Sequence, residues 1–251
     1  MRGTGDLPDE AAGPTPEELL AWVDAGRLPR TPLRPCNYLP GRLTRERAFL
    51  AERLDPGLYH ELMDRGFRRS GDLFYATACP DCRACVPLRV PVATFRPSRS
   101  QRRVLRRNQD VDVQVRRPLC SAETFALYRR YLQHQHGKSM DDGDEAGFAA
   151  SLYARVVDTR EVIYSLGGRT VAISLVDVSA QSVSAVYHFY EPADRDRSLG
   201  VFSVLAEIEW ARQQGVPFYY LGFWITGCKT MAYKADYGPH ELLRDGGWRA
   251  P

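Results

Sequence analysis

VIYSLGGRTVAISLVDVSAQSVSAVYHFYEPADRDRSLGVFSVLAEIEWARQQGVPFYYLGF, residues 162–223, is the stretch that sets the architecture. Three runs rich in β-branched and aromatic residues, Val162–Leu166, Val171–Val178 and Val183–Tyr190, read as strands. Gly167-Gly168 is a two-residue hairpin turn between the first two, and Ser179–Gln181 turns the chain again. Glu191-Pro192 ends the third run. A polar segment from Asp194 to Gly200 then leads into a helix through Gln214. Its apolar residues Val201, Val204, Leu205 and Ile208 recur at helical spacing, and Gly215 caps it. Phe218–Phe223 is a further strand. An antiparallel meander, a helix and a strand in that order predict an α+β fold.

Working outward, the amino-terminal half is more heavily punctuated. Residues 1–16 are rich in Gly, Pro, Asp and Glu, and a disordered tail is expected there. Thr15 caps a short predicted helix that opens with Pro16, Glu17 and Glu18. Leu43–Gly66 has a helical pattern broken at Asp55-Pro56-Gly57. Leu73-Phe74-Tyr75 reads as a strand. Val86–Phe95 reads as another, and Pro91 argues for a sheet edge. Helices are predicted for Arg99–Asn108, from Ser121 to about His136 and near Phe148–Val156, with a strand at Val111–Val115 and a polar loop from Lys138 to Gly147. The expected organisation is a tail (1–16), a cysteine-bearing and basic amino-terminal domain (17–108) and a second domain (109–251).

The composition, 44% hydrophobic and 26% charged over 251 residues, is that of an ordinary globular chain. Its charge is unevenly placed. Arg96–Arg117 holds eight arginines against Asp110 and Asp112, a local +6, which leaves −3 for the rest of a chain whose net charge is +3. Arg99, Arg102, Arg103, Arg106 and Arg107 fall at spacings of three and four, so one helix face is cationic. Arginine forks match phosphate oxygens, so this face is read as a phosphate contact rather than a merely solvated surface. No signal peptide and no membrane-length apolar run occur, and a cytoplasmic protein is expected.

In a reducing compartment the six cysteines are thiols or metal ligands. Cys79-x-x-Cys82-x-x-Cys85 with the upstream Cys36 supplies four ligands, enough for structural zinc or an iron–sulfur cluster. The alternative is buried or redox thiols; Cys120 and Cys228 are read as packing residues. Tyr187, His188, Tyr190 and Glu191 end a central strand and are expected to face CKTMAYK, residues 228–234. Lys229, Tyr233 and Lys234 are hard to bury without a partner, and a cationic pocket there would suit an acidic substrate group. Glu191 could serve as base or amine anchor. RSLG (197–200) has one glycine only, a poor pyrophosphate cradle, which argues against coenzyme A as donor.

CNYLPGR, RGFRRSG, CPDCRACVPLRV, FRPSRSQRRVLRRN, VYHFYEP, RSLG and YYLGFWITGCKTMAYK together resemble the bacterial aminoacyl-tRNA–protein transferases of the N-degron pathway. The resemblance covers about Cys36 to Trp248 and points to the aspartate/glutamate leucyltransferase branch of the arginyltransferase family. It implies a GNAT-like acyltransferase core with a cysteine-bearing amino-terminal region. It implies transfer of leucine from leucyl-tRNA to the α-amine of proteins that begin with Asp or Glu, marking them for degradation. The ester is already activated, so no cofactor is needed for the chemistry. On this reading Tyr187 or Tyr233 assists proton transfer or polarises the ester carbonyl. Arg68, Arg69, Lys229 or Lys234 pairs with the acidic side chain, while Arg99, Gln101, Arg102, Arg103, Arg106 and Arg107 hold tRNA. Glu191 stands where the family pattern leads one to expect Asp, which would make its contact water-mediated. The rival readings are an arginyl donor, a non-catalytic metal-stabilised RNA-binding module, and an acetyl-CoA-dependent acetyltransferase.

Overall fold

The computed structural model describes residues 13–136 and 144–251. Most of the expected tail and most of the expected Lys138–Gly147 loop therefore lie outside the described residues. Helix α1, Pro16–Asp24, begins as its sequence predicts: Thr15 accepts from the Glu18 amide while the Glu18 carboxylate accepts from the Thr15 amide. Strands β1 (Arg34–Pro35) and β2 (Leu43–Thr44) form a two-stranded ribbon, followed by β3, Glu46–Leu50.

The region around β3 corrects the helical reading of Leu43–Gly66. Only its second piece is helical, as α2, Pro56–Asp64, with Pro56 in the first turn and Asp55 Oδ1 accepting from Gly57 and Leu58 amides at 2.7 and 3.3 Å. The first piece pairs with β5 (Leu73–Thr77), which in turn pairs with β4 (Arg68–Ser70). Phe49 stacks on Phe74 across the ladder at 5.3 Å, so tertiary pairing overrides the local period.

The large sheet holds eight strands. Its members are β6 (Val86–Pro91), β7 (Val111–Arg116), β8 (Asp158–Leu166), β9 (Arg169–Val178), β10 (Ser182–Tyr190), β11 (Phe218–Trp224), β12 (Glu241–Arg244) and β13 (Gly247–Arg249). The spatial order is β13-β12-β6-β11-β10-β9-β8-β7. Gly167 and Gly168 both have positive φ, as the tight β8–β9 hairpin requires. Among the described residues only β10 and β11 run parallel, joined by the crossover helix α6, Leu199–Gln213, which follows α3 (Arg99–Arg107), α4 (Ala122–His136) and α5 (Glu145–Leu152) in the chain. A short α7, Lys229–Ala232, follows β11.

Strand β9 is covered on both faces. Ala172 and Val176 join the core beneath α6 and α3, whereas Ile173 and Leu175 join the core with Phe148 and Leu152 of α5 and Leu127 of α4. Strand β6 lies inside the sheet, between β12 and β11, not at the edge that Pro91 suggested. Pro91 lies beyond the β12 pairing, which ends at Arg89, so its missing N–H breaks no bond on that side. Strand β6 and helix α3 thus belong to the large sheet and its cover, and the boundary expected at residue 108 runs through one continuous core.

The small sheet is locked to the large one by a buried ion pair. Arg69 of β4 donates from Nε and Nη2 to the two oxygens of Asp177 at 2.6 Å each, with side chains 1% and 0% exposed. Tyr59 of α2 and Thr159 of β8 donate to the same carboxylate at 2.9 and 2.8 Å. Removing one partner strands a charge in the core. Asp177→Asn is expected to cost about 3–5 kcal/mol in denaturant unfolding, while Arg69→Met with Asp177→Leu recovers most of it. Equal losses in the single and double variants would contradict this.

Candidate active site at a strand splay

Parallel strands β10 and β11 pair over three positions only, Ser182 with Phe218, Val183 with Tyr219 and Ser184 with Tyr220. Just beyond, the register of β10 against β9 shifts between Ala185 and Tyr187, and that of β11 against β6 shifts between Tyr220 and Gly222. Two bulges at one level part the strands and leave backbone groups without ladder partners. Arg68 fills that gap. Its Nη1 donates to Ser184 Oγ at 2.7 Å and its Nη2 donates to the Ala185 carbonyl. Being neighbours on β4, Arg68 and Arg69 point to opposite faces, so the Arg69 anchor aims Arg68 into the splay.

Lys234, in the turn Tyr233–Asp236, reaches the same place. The position a Gly222 Cβ would occupy lies 3.2 Å from Lys234 Nζ and 3.8 Å from Arg68 Nη2, and Gly222 itself has φ +91°. Only glycine admits both that backbone and those two cations. Lys234 is buried, and no carboxylate pairs with Lys234 or Arg68 among the described residues. Burial first, and Arg68 second, push the Lys234 ammonium down to about 7; the Cys228 and Cys85 thiols oppose this weakly. Two adjacent cations without a counter-ion make a receptor for an anion.

Other predicted residues divide sharply. Arg69 is withdrawn from substrate binding, because Asp177, Thr159 and the Gly71 carbonyl take its whole fork. Lys229 is exposed on α7, apart from the buried Lys234. Glu191 accepts from Arg130 Nη2 at 2.8 Å and Nε at 3.0 Å, so it is paired rather than poised as a free base. Tyr187 packs edge-on to Tyr128 at 5.8 Å and Tyr131 at 6.5 Å. Burial, with Tyr128 and Tyr131 beside it, raises its hydroxyl well above the tyrosine range, so it stays protonated and can offer a hydrogen bond but not act as a base. Tyr233 is 42% exposed, packs edge-on to Tyr237 at 6.4 Å, and is shifted upward, first by burial.

On α3 the arginines separate from the glutamine. Arg99, Arg102, Arg103 and Arg106 line one open, exposed patch. Arg107 donates to the Asp196 carbonyl. Gln101 is buried: it closes a capping box with Ser98 and donates to the Asp236 carbonyl at 3.2 Å, so it holds the helix rather than presenting to RNA.

The cysteines gather without forming a ready ligand set. Burial, and then Cys36, Cys79, Cys82 and Cys228, push the Cys85 thiol up to about 12. Cys79 is buried against Thr44 Oγ1 at 3.4 Å. Yet no three His, Cys, Asp or Glu residues are grouped to hold a metal ion among the described residues. The four thiols expected as zinc or iron–sulfur ligands, Cys36, Cys79, Cys82 and Cys85, lie in one neighbourhood, with the first three acting on the last.

Sequence reasoning missed Gly222, and it placed His188 at the strand end without giving it a role. A glycine inside YYLGFW is the signal of a bulge. His188 gave no such signal. It bonds Ser174 through Nδ1 at 2.9 Å, its Nε2 is buried without a partner, and burial lowers it to about 4, so the ring is neutral.

The family model described as "Arginine-tRNA-protein transferase, C terminus" matches residues 123–244, and the corresponding N-terminus model matches 34–103. A relative named aspartate/glutamate leucyltransferase from Chromobacterium violaceum is 42% identical over 86% of this chain and 90% of its own length. One of the same name from Methylobacterium sp. is 42% identical over 90% and 96%. Among solved structures, FemX aligns with a TM-score of 0.53 at 11% identity, over 93% of this chain and 76% of that one. A protein described as the C-terminal domain of a lysylphosphatidylglycerol synthetase from Agrobacterium fabrum aligns with a TM-score of 0.50 at 15% identity, over 94% and 71%. These likenesses establish the GNAT-like fold. With both family regions present in order around the splay, the chain belongs to the arginine-tRNA-protein transferase family and is an aminoacyltransferase.

Proposed function

We propose that this protein transfers leucine from leucyl-tRNA to the α-amine of proteins that begin with Asp or Glu, in the cytoplasm, and so marks them for degradation. The observation that carries the acceptor half is the Arg68–Lys234 pair at the splay, two cations without a carboxylate. The acidic side chain of the acceptor supplies the missing charge. The donor half follows the names of the curated relatives, while the family model is named for arginine.

The reaction needs little from the protein beyond placement. The amine nitrogen attacks the ester carbonyl carbon; the C–N bond forms and the C–O bond to the ribose breaks. The proton lost by the amine ends on the ribose hydroxyl. An α-amine has an ordinary pKa of about 7.7–8.0, so a usable fraction is neutral without a dedicated base. Positioning of amine and ester can supply roughly 7–11 kcal/mol. The hydroxyls of Tyr187 and Tyr233 stay protonated and suit a hydrogen bond to the carbonyl oxygen or the leaving ribose. Glu191, tied to Arg130, fits an ordering role at the strand end.

The testing experiment follows label from charged leucyl- and arginyl-tRNA onto peptides beginning with Asp, Glu, Lys or Ala. Leucine on the acidic peptides alone is expected. Arginine there would change the donor, and no transfer from either would remove the enzyme reading. A pH profile follows from Lys234. Raising pH through about 7 removes the ammonium that pairs with the acceptor carboxylate. It also frees the amine, so kcat/KM for an Asp-peptide is bell-shaped. In Lys234→Met the descending limb disappears and only the rise remains; a descending limb that persists there would contradict the assignment.

A further inference from the structure

A second cationic surface lies away from the splay. A cleft of about 930 Å³ is formed by the loop after β3, the residues that follow β7, and the segment that leads from α5 into β8. Four arginines line it, Arg53, Arg117, Arg155 and Arg160, against two acids. Both acids are already engaged. Asp55 caps α2, and Asp158 pairs with Arg160 at 2.8 Å. Arg53, Arg117 and Arg155 are exposed, and none of the three has a carboxylate partner among the described residues. The floor is rigid: Thr159, which lines the cleft, donates to Asp177 in the buried Arg69 pair.

Three unpaired guanidinium groups converging on one hollow favour a ligand with several separated negative oxygens. The position of the cleft narrows the choice. Strand β7 connects α3 to it: Val111 pairs with Leu166 near the end of α3, and Arg116 pairs with Glu161 next to the cleft. Six extended residues span about 20 Å. The register places the two surfaces at different ends of the sheet. Tyr190 pairs with Ala172 and Ala172 with Tyr164, which pairs with Val113; Val183 pairs with Val178 and Val178 with Asp158. The splay therefore opens toward the α3 end, and the cleft lies at the closed end.

We propose that the Arg53–Arg117–Arg155 cleft binds phosphates of the donor tRNA remote from its aminoacylated end, as a second RNA contact beyond the α3 face. This rests on the reading of the protein as a tRNA-dependent transferase. One continuous polyanion can engage both arginine sets while its 3′ end stands at the splay. A short acidic peptide bound there would have no link to the transfer site. Phosphate contacts of this kind set the register of a nucleic acid on a protein without reading its sequence.

The test measures binding of uncharged tRNA by the full chain at several salt concentrations. The variants are Arg53→Ser/Arg117→Ser/Arg155→Ser, the single reversal Arg155→Glu, and Arg99→Ser/Arg103→Ser as a comparison on α3. Unfolding midpoints establish that each is folded, and the three cleft arginines have no internal ion pair to lose. The expected result is roughly tenfold or greater weakening at 0.1 M salt for the triple variant. Its slope of log affinity against log salt should be shallower by about one for each phosphate no longer neutralised. Arg155→Glu weakens binding in the same direction. Unchanged affinity and slope in the folded triple variant, with weakening in the α3 variant, would overturn the cleft assignment, leave the transferase reading intact, and assign the surface to an acidic protein partner instead. No tRNA binding by the unaltered protein would overturn both.

Discussion

The buried pair between Arg69 and Asp177 is the constraint on which the site depends. It costs desolvation of two charges, and a charge pair of this kind is weak evidence for stability in itself. Its consequence is geometric. It fixes β4 against β9, and a strand alternates its side chains, so fixing Arg69 inward directs Arg68 to the opposite face. There Arg68 satisfies a serine hydroxyl and a carbonyl left without a ladder partner by the bulge in β10. The same side chain is a brace for the splayed strands and a member of the anion receptor.

The splay itself follows from the topology. A meander gives antiparallel neighbours, but the crossover through α6 forces β11 to enter parallel to β10. Three pairs hold them, and bulges on both strands then release them. Gly222 makes the opening usable, since any side chain there would meet Lys234 at 3.2 Å. Lys234 is kept without a counter-charge at the cost of a depressed pKa. A group destabilised in the empty protein in this way has most to gain when a carboxylate arrives.

Much of this was legible in the sequence, for local reasons. The Gly167-Gly168 turn, the alternating runs around it, the Thr15 cap and the arginine face of α3 each state their structure within a few residues. What was not legible depended on partners distant in the chain. Glu46–Leu50 looked helical because its pairing with β5 is invisible locally. Pro91 looked like an edge because nothing near it announces β12, some 150 residues later. Arg68 and Arg69 are chemically identical in sequence, and only Asp177 and the bulge at Ala185 separate the probe from the anchor. Gln101 lies across the helix from the arginine face and turns inward to close the cap of its own helix, a placement that the motif FRPSRSQRRVLRRN taken as a whole does not separate from the arginines.

The measurement that bears most directly on the central claim is acceptor discrimination, as the ratio of kcat/KM for peptides beginning with Asp and with its uncharged isostere Asn. A receptor of two uncompensated cations predicts a ratio of roughly 100 or more in the unaltered protein, because an amide leaves both cations unpaired. It predicts that the ratio falls roughly tenfold or more in Lys234→Met, where Arg68 is left as the single cation. A ratio unchanged by that substitution would place acid recognition elsewhere and contradict the account.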